Sequence, residues 1–429
     1  MCRRAIVLAL AAFAVAPASP ARAGWWSDAA RVNGGLASAV QREWLTTDEA
    51  ADYRSVLARS SATWRRLPGS RSTNLAAVLH DVAAQSRSYI APRALALFSM
   101  LDMNARYLGS DAMPLDGTDI LDENGVVYRA FAGRGLQFHP LGNFSRLNSL
   151  LAGDDGAGAA TLAAALIGRA IPRNGALLWE YYFPFGGGSP PWTSGMAQAV
   201  AARALAADGD LAEARKAFLA LSRLTFPLAG GPWIRLYSFS NLTVLNAQLQ
   251  ASLSLAGYGR INVDPAATKL SERLLETTNT LFARFDTGAW SRYSLGGAES
   301  PLKYHVYVVG LLRRIAAATE DPVWMARAAR FDRYTTEGPQ LSVRVPARPV
   351  KTAAAVRFWL SKMARVTLSI GGSATAATFS RGPHTLSWRA AGRRPGRYSG
   401  TLTAVDLAGN RTVKTLPAIR VARQASALP

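Results

Sequence analysis

The sequence predicts a mainly α chain of antiparallel helix pairs that ends in a small β-sandwich. Three observations carry this reading. Apolar residues recur at helical spacing from Trp25 to about Tyr334, stretches rich in Gly, Pro, Trp and Tyr interrupt them, and beyond Thr335 apolar and polar residues alternate. With 429 residues, 49% apolar, the chain is long enough for two or three domains with ample core. The 36 Gly and 22 Pro are scattered rather than periodic, which excludes collagen and argues against disorder or a membrane bundle.

The first element is a targeting segment. Arg3 and Arg4 precede an apolar run from Ala5 to Ala16 that is too short to span a bilayer, and Ala21-Arg22-Ala23 has the small-x-small form of a signal-peptidase site. Residues 1–23 therefore read as a signal peptide, with a mature chain from Gly24 that is secreted or attached to the cell envelope. The single cysteine, Cys2, leaves with it, so disulfides, thiol catalysis and cysteine-ligated metals are excluded from the mature protein. No second long apolar run follows, so no membrane span is expected.

Residues 24–337 follow as the helical part. Thr46 with Glu49 and Asp210 with Glu213 resemble capping boxes, while Asp264-Pro265 and Asp321-Pro322 place an acceptor at the N-cap and proline in the first turn. The stretches LAEARKAFLALSRL and SERLLETTNTLFARF carry the 3–4 spacing. About a dozen helices joined by short turns make antiparallel hairpins, stacked as a solenoid or closed into an α/α toroid. No fixed-period repeat favours the solenoid. The stretches DILDENGVVYRAF, RNGALLWEYYFPFGGGSPPW, AGGPWIRLYSFSN and DTGAWSRYSLGGAESPLKYH do not read as helix. Long aromatic loops of this kind carry function more often than stability.

From 338 to 423 the strands QLSVRVP, AVRFWLS, RVTLSIG, HTLSWRA and YSGTLTAVD are separated by GG, RGP, RRPG and AGN turns, which predicts an antiparallel β-sandwich, with 424–429 as a tail. GRYSGTLTAVDLAGN resembles the late strands of immunoglobulin-like or fibronectin-like modules of extracellular bacterial proteins. The formal charge of +21 is concentrated here: residues 338–429 hold 15 Lys or Arg against one acid, Asp406, whereas residues 24–337 hold 31 basic and 27 acidic residues. Such a surface is either a solvated spacer or a holdfast for an anionic cell-surface polymer. Nucleic acid is not expected as the partner of an exported protein.

No HExxH, Walker loop or GxSxG occurs, and His80, His139, His305 and His384 are too dispersed for a metal site, so neither metal nor cofactor is expected. What stands out is aromatic density around a few polar residues. Trp192-Thr-Ser194-Gly-Met-Ala-Gln198 resembles the Trp-x-Ser-x-Met-Ala-Gln element in the C-terminal domain of D-glucuronyl C5-epimerases. Trp233-Ile-Arg235-Leu-Tyr237 with Val244-Leu-Asn246, then Asp286-Thr-Gly288, Tyr293 and Tyr304-His305 ahead of the helix through Leu312, and finally DPVWMARAARFDRY, resemble further elements of that family in the same order.

The resemblance implies an incomplete α/α toroid that inverts C5 of hexuronate residues in an acidic, heparosan-like polysaccharide, with tyrosines in the proton relay. Matched residue by residue, these are Tyr237, Tyr293 and Tyr304. The hydrogen removed lies α to a carboxylate, so cations or donors must neutralise the developing dianion and a base is needed on each face of the ring. A phenol titrates near pH 10 and needs a cation or helix N-terminus to act as a base. Arg235 and Arg292, close in sequence to Tyr237 and Tyr293, are candidates for that or for clamping the substrate carboxylate. The resemblance also allows a homodimer.

This chain departs from the family pattern. Where animal members have an acidic pair before the first tyrosine it has Arg235-Leu236; where they read Tyr-Asp-Leu-Arg-His it reads Tyr293-Ser-Leu-Gly-Gly; and Val308 stands in place of a second His. Several polar substrate contacts are therefore missing. The remaining substrate-binding candidates each have a structural alternative. Trp192, Trp233 and Trp290 are packing residues or sugar platforms. Ser194 caps a helix or binds sugar, Gln198 anchors a loop or binds sugar, and Asn246 pins a turn or binds sugar. His305 belongs with Tyr304, while His139, Glu180 and Tyr182 line a cleft or hold local structure. Two other functions stay open: a polysaccharide lyase, which shares the C5 proton abstraction but expels the C4 oxygen, and a non-catalytic glycan-binding envelope protein.

Overall fold

A computed structural model of the protein describes residues 24–423; the signal-peptide reading of 1–23, with Cys2, and the tail 424–429 lie outside the described residues. The described residues form two compact units. The first holds residues 24–243 with Gln250–Thr277, the second Val244–Leu249 with residues 278–423.

Helices α1 (Gly24–Gln41), α2 (Thr47–Arg66), α3 (Gly69–Ala84), α4 (Ala91–Ser110), α5 (Pro140–Ala152), α6 (Gly156–Ile167), α7 (Gly195–Asp208) and α8 (Leu211–Leu219) build the first unit. Residues of α9 (Leu245–Ile261) and α10 (Pro265–Leu281) are divided between the units, and α11 (Leu302–Thr319) and α12 (Pro322–Arg333) belong to the second. No described helix is long and apolar enough to cross a membrane.

Local chemistry sets many of these ends. Thr46 Oγ1 accepts from Glu49 N at 3.1 Å while Glu49 accepts from Thr46 N at 2.8 Å, a complete capping box on α2. Asp264 caps α10 through Ala266 N and Ala267 N, and Asp321 caps α12 through Val323 N. Asp210 departs from expectation: its side chain makes no cap bond to α8. Its carboxyl interacts with Asp208 instead, and burial, reinforced by that like charge, raises its pKa. Gly209 at φ +103° ends α7, and two residues later the chain sets off again as α8, packed against α7. Glu320 in the left-handed region, followed by Asp321, makes the same reversal between α11 and α12. Helix α7 is buried on nearly all sides, and its alanines let α5, α6 and α8 pack closely around it.

Short antiparallel pieces interrupt these helices: a three-stranded sheet of β1 (Asp119–Leu121), β2 (Val127–Phe131) and β3 (Gly135–Phe138), then the hairpins β4 (Ile171–Arg173) with β5 (Ala176–Leu178) and β6 (Thr225–Leu228) with β7 (Gly231–Ile234). Beneath the first sheet, Asp81 of α3 is 2% exposed and accepts from Gln137 Nε2 at 3.1 Å. Burial pushes its pKa up to about 8. The ordinary carboxyl value is near 4, so the folded protein holds a proton that the unfolded chain releases, and stability falls as pH rises from about 4 to 8. Asp81→Asn is expected to match the native protein near pH 4. It should gain on it by at most about 1.4 kcal/mol per pH unit up to pH 8, read from urea unfolding.

Between Arg333 and Leu341 the fold changes from helix to strand. Strands β8 (Leu341–Arg344), β9 (Ala353–Leu360), β10 (Ala364–Ile370), β11 (Ser373–Phe379), β12 (Gly382–Arg389), β13 (Gly396–Asp406) and β14 (Arg411–Val421) form two antiparallel sheets, ordered β12-β9-β8 and β11-β10-β13-β14. Inward residues of both sheets, among them Val356, Phe358, Val366, Leu368, Trp388 and Leu402, share one apolar core.

Two strands were not anticipated. Strand β11 is built of small residues on a sheet edge and β14 carries Pro417 on the other edge, where proline is tolerated. Gly382 and Pro383, expected in a turn, open β12. Helix α11 starts at Leu302, with Pro301 at the N-cap position and no side-chain cap bond, so Tyr304 and His305 lie in its first turn instead of ahead of it.

Candidate functional site

In the first unit, Tyr237 follows β7 on a segment tied to the start of α7. Gly195 N donates to Arg235 O at 2.8 Å, Ser238 N to Thr193 O at 2.8 Å, and Thr193 N to Ser238 Oγ at 3.1 Å. A Cβ on Gly195 would stand 2.8 Å from the Arg235 carbonyl, so glycine is what permits this approach. The Tyr237 ring lies edge-to-face with Trp192 at 5.6 Å and is stacked with Phe239 at 5.6 Å. Arg235 is directed elsewhere: its guanidinium bonds the Asn241 side chain and lies 5.3 Å above Phe226.

The polar residues of the Trp-x-Ser-x-Met-Ala-Gln element make structural bonds. Ser194 Oγ accepts from Ala197 N at 3.3 Å as the α7 cap. Gln198, 1% exposed, donates to Leu177 O and Ala217 O and accepts from Trp179 N. Trp192 stacks on Tyr181 at 4.0 Å and donates to Phe183 O. Trp233 and Trp290 are buried as well.

Glu180 and Trp192 line a cavity of about 680 Å³, within the usual ~300–1,000 Å³ of ligand sites. Arg93, Arg173, Arg223 and Ser238 share its wall. Glu180 is gripped by Arg93 through two bonds, 2.8 and 2.9 Å. Tyr182 is buried beside that pair, and burial, then the Glu180 charge, push its pKa well above the ordinary tyrosine range, so it stays a neutral phenol. Arg93→Met strands the Glu180 carboxylate and is expected to cost about 2 kcal/mol in denaturant unfolding, most of it recovered in the double variant with Glu180→Leu. His139 is fully buried, its Nδ1 accepting from Gly142 N at 2.9 Å to cap α5. Burial and the nearby Arg129 hold its pKa well below the usual value, so it is a neutral cap.

In the second unit the segment after α10 is folded by its own side chains. Asp286 Oδ1 accepts from Gly288 N at 2.7 Å and Thr287 Oγ1 from Trp290 N at 2.9 Å, which is why Asp-Thr-Gly turns the chain there. Arg330 and Tyr334 hold the same carboxylate from α12 and its cap. Arg292 donates to Gly297 O at 2.7 Å and so holds the following loop. The Tyr293 and Tyr304 rings meet edge-to-face at 5.2 Å. Tyr293 O accepts from Leu245 N at 3.4 Å, placing the buried Asn246 next in sequence to that contact.

His305 is fully buried and stacked on Trp290 at 3.9 Å. Its Nε2 lies 2.8 Å from Phe331 O and so carries the proton, leaving Nδ1 to accept from Ser291 Oγ at 2.7 Å. Burial lowers its pKa. Both ring nitrogens thus bind protein groups.

Of the sequence candidates, Glu180 and Trp192 line the cavity, Tyr182 lies beside Glu180 and Tyr237 against Trp192, and Tyr293 and Tyr304 pair in the second unit. The sequence reading missed Arg93, in the first turn of α4, together with Arg173, Arg223 and Phe239. An uncompensated Glu180 in an aromatic stretch was the available hint. Among the described residues no group of three or more His, Cys, Asp or Glu could hold a metal ion.

No curated protein matches the chain. The family described as D-glucuronyl C5-epimerase C-terminus matches residues 173–333, a span that contains Glu180, the Ser194–Gln198 element and all three tyrosines, so this part of the chain is similar to the C-terminal part of D-glucuronyl C5-epimerases.

Proposed function

We propose that the protein is an exported epimerase that inverts C5 of hexuronate residues in an acidic polysaccharide, on an incomplete α/α toroid, with Tyr237, Tyr293 and Tyr304 in the proton transfers. The observation that carries this is the family match over 173–333, a span within which the three tyrosines fall.

The C5–H bond breaks as a base takes the proton, and the electron pair moves into the C5–C6 bond to give an aci-carboxylate. A proton delivered to the other face then restores C5 with inverted configuration. No electrons are exchanged and no group leaves, so the reaction needs positioned acids, bases and charge neutralisation only. Arg235 and Arg292 are engaged with Asn241 and the Gly297 carbonyl. The cations better disposed toward a uronate carboxylate are Arg173 and Arg223 on the cavity wall.

Incubating mature protein with a panel of uronate polysaccharides in heavy water tests the reading. The expected result is deuterium at C5 with no ultraviolet-absorbing product. An unsaturated uronate would replace the epimerase with a lyase, and absence of exchange on every acidic glycan would leave a binding protein.

A further inference from the structure

A cluster of six Lys and Arg residues stands at one end of the β-sandwich. Ala353 pairs with Arg389, Ile370 with Ser373 and Gly396 with Val421, so the same pole receives the ends of β10, β12 and β14 and the starts of β9, β11 and β13. A backbone bond from Val350 N to Arg420 O at 2.9 Å ties the two sheets there, and one from Ala390 N to Thr352 O, also 2.9 Å, continues the β9–β12 ladder. Arg397 and Arg420 stand directly opposite each other in the β13–β14 register. Arg348 and Lys351 lie in the β8–β9 connection, Arg389 ends β12, and Arg394 lies in the loop that follows.

All six are exposed, and none takes part in an ion pair among the described residues. The only acid of the sandwich, Asp406, is at the opposite pole, buried against Lys362 at 2.8 Å. Like charges directly across a ladder destabilise it unless a counter-charge arrives.

The composition of the pole selects the counter-charge. The exposed large apolar residues of the sandwich, Leu407 and Val413, lie in and just after the β13–β14 turn at the other pole, so no apolar wedge for a bilayer is present here. The pole's aromatic rings, Trp388 and Tyr398, are covered by the Arg393 guanidinium at 5.1 and 5.8 Å, so no open ring is offered for base stacking. What remains is recognition of a soluble polyanion by dispersed charge.

We propose that this pole is a docking site for an anionic polysaccharide chain, holding the enzyme on polymer. The identity of the polymer rests on the epimerase reading; the location of the site does not.

Full-length mature protein carrying Arg394→Ser, Arg397→Ser and Arg420→Ser is compared on heparin and on heparosan with a charge-matched control carrying Arg365→Ser, Arg381→Ser and Arg411→Ser. The pole variant should elute at clearly lower salt. Its dependence of log affinity on log salt should fall by about two to three units, by analogy with about one per contact on nucleic acid. The control should shift by less than a third of that, and Arg→Lys at the three pole positions should restore binding. Equal shifts in the two triple variants, or none, overturn the proposal. Tighter binding to duplex DNA or to phosphatidylglycerol vesicles than to heparosan, with the same dependence on the pole, overturns the polysaccharide as occupant. C5 exchange on a tetrasaccharide should be equal in both variants. Polymer binding lost in the pole variant with no exchange in native protein would remove the epimerase reading and leave the docking site standing.

Discussion

Tyr304→Phe and Tyr237→Phe are each expected to slow deuterium incorporation at C5 by about 10²–10⁴-fold, the usual loss when a positioned acid or base is removed. Phenylalanine keeps the ring that packs edge-to-face on Tyr293 in one case and that lies between Trp192 and Phe239 in the other, so folding should be retained. Thermal unfolding midpoints within a few degrees of native would show that the loss is chemical. Tyr293→Phe belongs to the same series. Tyr182→Phe serves as the contrast, because that phenol is buried and held neutral beside Glu180 and should change the exchange rate little. Native rates in all three relay variants would remove the tyrosine assignment while leaving the family match over residues 173–333 intact.

The second large effect concerns stability. Lys362, whose side chain is 3% exposed, is bonded to Asp406 at 2.8 Å, to Tyr334 O at 2.7 Å and to Glu337 O, and its ammonium lies 5.2 Å from the Trp290 ring centroid. Lys362→Met keeps the volume but strands the Asp406 carboxylate and two carbonyls, and is expected to cost about 3–5 kcal/mol. Asp406 also accepts from Ala408 N and Asn410 N at 2.9 Å, which fixes the turn before β14. Asp406→Asn alongside Lys362→Met removes the stranded charge and keeps the acceptor, so the double variant should recover a large part of the loss. Urea unfolding of the single and double variants measures this. A single variant as stable as native would show that the ammonium is replaceable by water.

The accuracy of the sequence reading followed the range of the interaction. The Thr46–Glu49 box and the Asp264 and Asp321 caps were legible because donor and acceptor lie within three residues. Asp210 looked the same in sequence and does not cap, since Asp208 competes for its carboxyl. Ser194 and Gln198 were legible as a motif, but only the fold shows that their polar atoms hold α7 and the β5 segment. Arg93 and Glu180 are 87 residues apart, and nothing local in either segment names the other. The same holds for His305, whose ring nitrogens are taken up by Ser291 and Phe331.

By itself the sequence determined the helical body, the strand-rich end, the order of the family motifs and the location of the cationic excess in residues 338–429. Period, composition and motif spacing are properties of a one-dimensional string. Tertiary structure alone decided which charges stay free. It buried Asp406 against Lys362 and gathered Arg397, Arg420 and their neighbours at the far pole, because strand register and burial set charge pairing across distances that chain order does not encode.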